Sequence, residues 1–167
     1  MFKSAMRSID RAVEFALFLI FLVFTLVGAL QIFNRFALGL PLSWSEEFQK
    51  FGHIWMVFLA IPVAYRRGAH IGMDMLYMLL PAGLQRVIQL CVELMWLALA
   101  ICIVWYTLAI MVVARNQESP GLGLRMDHVY AGLVIGGGYL ALVAVRRLAA
   151  FFGLIEADIP EPLGEHS

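Results

Sequence analysis

Charge is scarce in this sequence: Asp, Glu, Lys and Arg make up 14% of its 167 residues against 62% hydrophobic residues, and mean hydropathy is +0.85. A water-soluble domain of that make-up would expose large apolar patches, so an ordinary soluble fold is excluded. Cysteine is nearly absent. Cys91 and Cys102 share one apolar run, eleven residues apart; that is about 16 Å along a helix, too far for a disulfide. A membrane thiol oxidoreductase needs a close cysteine pair at a surface, so these two read as packing residues. Metal-ligand spacings are missing as well: H-x-x-H, H-x-x-x-H and C-x-x-C do not occur. Of the four histidines only His53 falls within an apolar run, which argues against a haem held by two facing histidines. Period-two alternation and an internal repeat are also lacking, and a membrane barrel needs many more segments.

Long apolar runs are what remain. About 20 residues cross the hydrocarbon core as a helix, and helices satisfy their own backbone hydrogen bonds in lipid. Four runs qualify, which predicts an all-α integral membrane protein with spans near 15–34, 46–66, 87–114 and 128–146. Lys3, Arg7, Arg11, Arg66, Arg67, Arg86, Arg146 and Arg147 fall on one side of those spans, and Arg35, Lys50, Arg115 and Arg125 on the other. The positive-inside rule then puts both termini and the middle loop in the cytoplasm, and acidic residues do not vote. Residues 1–14 place Phe2, Ala5, Met6, Ile9 and Val13 at helical spacing opposite Lys3, Arg7 and Asp10 or Arg11. An amphipathic segment on the inner membrane surface is expected there, leading into an uncleaved signal anchor. The acidic tail 153–167, with Pro160 and Pro162, is expected to be loosely ordered.

The polar residues cluster from Ser43 to Asp74. Ser43-Trp44-Ser45-Glu46 fits a helix capping box, with Glu46 and Glu47 at the positive end of the helix dipole and Trp44 in the interfacial belt. Glu46, Gln49, Lys50 and His53 recur at three- and four-residue spacing, a stripe too deep to face lipid comfortably. It is expected to face protein, with Arg35 as a partner for Glu46 or Glu47. Pro62 implies a kink, Arg66 and Arg67 end the helix before Gly68, and His70 and Asp74 stand one helical turn apart. Residues 76–80 with Pro81 read as a short interfacial helix. Glu93 lies inside the third span, where an ionisable group is paired, with Arg86, Arg66 or Arg67 the nearest candidates, or protonated. Gly132 and Gly136 form a GxxxG that lets another helix approach closely. Asp127 is a further N-cap candidate.

Trp44-Ser45-Glu46-Glu47, the Trp55–Phe58–Leu59 helix, and Arg67-Gly68-x-His70-Ile71-x-Met73-Asp74 followed by Pro81 resemble the small membrane subunit of tripartite ATP-independent periplasmic (TRAP) transporters, the DctQ-like family. Ala60-Ile61-Pro62 and Ile135-Gly136 depart from the family pattern, which bears on local helix geometry. The resemblance implies an accessory subunit with no enzymatic activity and no cofactor. Its implied partners are a large multi-span subunit carrying the substrate and sodium sites, a periplasmic binding protein and membrane lipid, but no nucleic acid. The cargo would be an organic acid such as a dicarboxylate or sialic acid. Trp44, Glu46, Glu47, His70 and Asp74 are carried over as folding or subunit-contact positions, and Lys50, His53, Arg66, Arg67, Glu93, Gly132 and Gly136 join them from the residue reading. Two other classes stay open: a small self-sufficient proton-coupled antiporter using Glu93, and a quinone- or haem-linked membrane anchor.

Overall fold

A computed structural model describes residues 2–39, 42–66 and 80–154, with side chains from residue 8 onward and excluding that of Ala82. Arg67, His70, Asp74, all of the 76–80 segment but its last residue, and the tail from 155 lie outside the described residues. Four long helices account for most of the remainder: α1 Phe2–Phe33, α2 Ser43–Arg66, α3 Ala82–Ala114 and α4 Met126–Phe151. A π-helical turn, Asn34–Leu38, continues α1 and is closed by Gly39 in the left-handed conformation (φ 66°), its N–H donating to the Asn34 carbonyl. No strand occurs among the described residues; a single antiparallel bridge, Glu118 to Arg125, pinches the loop between α3 and α4.

Among the described residues three stretches are long and apolar enough to cross a membrane: Ser8–Leu38, Gly83–Ala114 and Met126–Phe151. The 24 residues of α2 are fewer but still reach about 36 Å at ~1.5 Å per residue. Its first half, however, carries Glu46, Glu47, Lys50 and His53, so by apolarity it stands apart from the other three. Residues 2–14 are the opening turns of α1 itself, continuous with the span.

The helices pack in a row, α1 on α2, α2 on α4 and α4 on α3. The last helix is therefore central. It buries Val129, Gly132, Gly136, Gly137, Tyr139, Leu140, Val143 and Ala144, and the core forms where its second half meets Val63 and Tyr65 of α2 and Ala100 of α3. The edge helices are mostly bare: the apolar span on α1 is unburied within the chain, and α3 exposes Met95, Trp105, Tyr106 and Val113. In water such surfaces would aggregate; in a bilayer they contact lipid or other spans. Cys91 and Cys102, expected as packing residues, lie on the exposed surface of α3.

Gly132 and Gly136 set the α2–α4 approach inside the chain. A Cβ on Gly132 would lie 2.8 Å from the Trp55 ring, and one on Gly136 only 2.4 Å from the Phe58 carbonyl oxygen. Pro62, fully buried, has no N–H to give that same carbonyl four residues earlier. The proline releases a backbone acceptor where the glycine lets α4 close on it, a geometry that suits a Cα–H···O contact.

Candidate functional site

The polar side chains gather at the two ends of the bundle. At one end, called here the arginine end, Glu93 is 2% exposed. The Tyr65 hydroxyl donates to its Oε2 and Arg147 Nε donates to its Oε1 at 2.7 Å. Arg147 also donates to the Tyr65 carbonyl at 3.0 Å and lies 4.6 Å above the Tyr65 ring, which packs at 4.7 Å on Trp96. Pairing of Glu93 was expected from Arg86, Arg66 or Arg67. The counter-charge instead comes from α4, the described helix along which α3 chiefly packs; Arg86 is exposed.

Arg66 turns toward α1. Its guanidinium meets Asp10 at 3.0 Å and Glu14 at 2.5 Å. Asp10, 3% exposed, also accepts from the Tyr139 hydroxyl at 2.5 Å, with Arg146 at 3.9 Å. Two adjacent pairs therefore link all four helices: Tyr65-Arg66 on α2 and Arg146-Arg147 on α4 reach Glu93 on α3 with one member and Asp10 on α1 with the other. Asp10, Glu14 and Glu93 balance Arg66, Arg146 and Arg147, as low-dielectric burial demands. Reading the sequence missed Asp10, Glu14, Tyr65, Tyr139, Arg146 and Arg147 as members of this site. The available signal was two acids one turn apart at the start of one apolar run and paired arginines at the ends of two others.

At the opposite, loop end, Glu47 Oε2 accepts the backbone N–H groups of Gly121 (2.9 Å) and Leu122 (3.1 Å). Gly121 is needed there, since a Cβ would stand 2.9 Å from the carboxylate. Glu47 thus straps the 115–125 loop over the start of α2, and Arg35, the expected partner of Glu46 or Glu47, is exposed. The Ser45 hydroxyl, fully buried, donates to the Leu42 carbonyl at 2.6 Å. Trp44 packs edge-on against Phe48, which meets Phe24 of α1 in the same manner. Asp127 sits within the first turn of α4, bonded to Arg125 at 2.5 Å and His128 at 3.0 Å, while the N-cap is Arg125.

The stripe on α2 divides. Gln49 turns to α1 and donates to Gln31 at 2.7 Å. Glu46, Lys50 and His53 are exposed on the face away from both neighbours, and no described residue forms an ion pair or hydrogen bond with any of them. Among the described residues no three of His, Cys, Asp and Glu converge as a metal site would require. The groups that do converge hold helices and a loop to one another.

Long apolar helices, bare edges and polar groups that close on each other define a class: a small multi-pass membrane protein. The chain belongs to the DctQ component of the tripartite ATP-independent periplasmic transporters, whose family model matches residues 24–153. It is 23% identical over 148 residues to a putative TRAP transporter small permease protein of Haemophilus influenzae, covering 89% of this chain and 92% of that one. It is 30% identical over 114 residues to the C4-dicarboxylate TRAP transporter small permease protein DctQ of Pseudomonas aeruginosa, covering 65% and 53%. It is also 32% identical over 108 residues to the isethionate TRAP transporter permease protein DctMQ of Oleidesulfovibrio alaskensis, where the match takes 64% of this chain but only 17% of that much longer protein. These relatives are permease subunits, not enzymes, and the family with its apolar helices identifies a multi-pass inner-membrane protein.

Proposed function

We propose that the chain is an accessory subunit that scaffolds a large transport subunit in sodium-coupled, binding-protein-dependent uptake of an organic acid of the dicarboxylate or sialic acid type. The observation that carries this reading is the state of the polar groups. Asp10, Glu14, Glu93, Arg66, Arg146 and Arg147 pair with one another, which suits a static frame better than a solute path. The fused name DctMQ of one relative supports a large partner, with this domain as a fraction of a longer permease. Relatives named for isethionate, ectoine and C4-dicarboxylate supports the view that cargo is chosen by other chains.

The same reading has four spans, with both termini in the cytoplasm. The start of α1 and the ends of α2 and α4 meet at the arginine end, as an even number of passes requires, and the positive-inside rule turns that end to the cytoplasm. Reconstitution tests the function. Uptake into liposomes is expected with the large subunit, this chain and the periplasmic binder together, and from this chain alone none; unaided uptake would refute the scaffold role. The antiporter reading makes the opposite demand on Glu93, for its Glu93→Gln variant should fold and lose proton coupling. Burial beside Arg147 and Tyr65 favours the structural role.

A further inference from the structure

We infer that the open face of α2 is the seat of one transmembrane helix of the large transport subunit. Glu46, Lys50 and His53 recur along that face at one-turn spacing, and the same line continues through Val57 to Ala60 and Ala64. Gln49 and Gly52 look to α1, Trp55, Phe58 and Pro62 to α4, and Tyr65 to α3, so among the described residues the line through Lys50 and Ala64 is the side of α2 that no other helix takes. Glu46, Lys50, His53 and Ala64 are all exposed, with Val57 and Ala60 half-buried.

The face has two halves with different chemistry. Toward the loop end it offers an acid, a base and an imidazole; Glu46 and Lys50, although one turn apart, do not pair with each other. Glu46 and Lys50 can reach headgroups or water with their long stems. His53 cannot: it stands ten residues into α2, about 15 Å from the helix start, with a short side chain at hydrocarbon depth. A polar ring there is stable against a protein group that completes its hydrogen bonds. Toward the arginine end Ala60 and Ala64 form a small-xxx-small pair that admits a second helix backbone closely. Charge complementarity defines the occupant: a helix with a carboxylate opposite Lys50, a hydrogen-bonding side chain opposite His53, and small or apolar residues opposite the two alanines. By contrast, the exposed faces of α1 and α3 are mostly apolar along their spans, as lipid contact requires, with Thr25 bonded to its own helix and Arg86 and Gln89 near the start of α3.

This assignment rests on the scaffold role proposed above, and photo-cross-linking of the full chain, co-expressed with its large subunit in native membranes, separates the two. A benzoylphenylalanine at the position of His53 is expected to give an adduct with the large subunit, and one at Phe21 on α1 or Met95 on α3 is not. Co-purification with adducts only, or equally, from Phe21 or Met95, or with none, overturns the α2 face and leaves the scaffold role standing. Absence of both adducts and co-purification overturns both, and adducts to a second copy of this chain overturn the assigned occupant. Lys50→Glu and Ala64→Phe, both at exposed positions, are each expected to cut the co-purified large subunit about tenfold, equivalent to ~1.4 kcal/mol, while the chain itself stays in the membrane. Undiminished co-purification with both variants counts equally against the face.

Discussion

Glu93 shows how little one residue's role can be read from its neighbours in the chain. Its depth in an apolar run implied that it is paired or protonated, and in the fold it sits against Tyr65 and Arg147. The arginine is 54 residues away, on a helix whose position the sequence does not state. Arg147→Ala should leave the buried carboxylate without its counter-charge. The expected loss is about 3 kcal/mol, the low end for a broken buried pair because the Arg147 side chain is 37% exposed. Thermal unfolding in detergent would measure it. The double variant Glu93→Gln/Arg147→Gln should recover part of that loss, since no unpaired charge remains. Equal destabilisation by the single and double variants would show that the pair is not what holds this end.

Between elements, the α2–α4 contact depends on a proline and a glycine acting together. Gly136→Ala puts a methyl against backbone, the Phe58 carbonyl, which cannot swing aside. A cost of about 1–3 kcal/mol is expected, visible as a lowered melting temperature. Gly138→Ala, with nothing within 4 Å, should be neutral or slightly stabilising because alanine is the better helix former. At the loop end, Glu47→Ala removes the acceptor for two backbone N–H groups. Limited proteolysis should then cut the 115–125 loop faster, with global stability nearly unchanged. The GxxxG was legible in the sequence as a close-approach site, but not the identity of the approaching helix.

For the whole molecule, the arginine end makes the first turns of α1 part of the bundle. An amphipathic segment lying on the membrane surface could be trimmed with little effect. Asp10 and Glu14, however, are the acids that meet Arg66, and Asp10 also accepts from Tyr139. Removing residues 2–14 should therefore destabilise the folded chain and lower its yield in the membrane fraction, whereas Arg11→Ala, at an exposed position, should not. Intact stability after the deletion would argue against a clasp that joins all four helices.

The sequence by itself determined that this is a helical membrane protein of the DctQ family. It also showed which residues are too polar for lipid and must find partners. Those features are local: a run of apolar side chains is read one residue after another, and its transfer into lipid adds up without reference to any other helix. Only the tertiary structure decided who partners whom. Asp10 meets Tyr139 across 129 residues, Glu47 meets a loop 74 residues on, and the stripe through Lys50 is left uncovered by the described helices. Each outcome follows from the packing order α1–α2–α4–α3, and that order is set by close contacts such as Gly136 on Phe58 rather than by hydropathy. Hydrogen bonds and ion pairs act over a few ångströms, so they report the neighbours a helix acquires in space and not those it has along the chain.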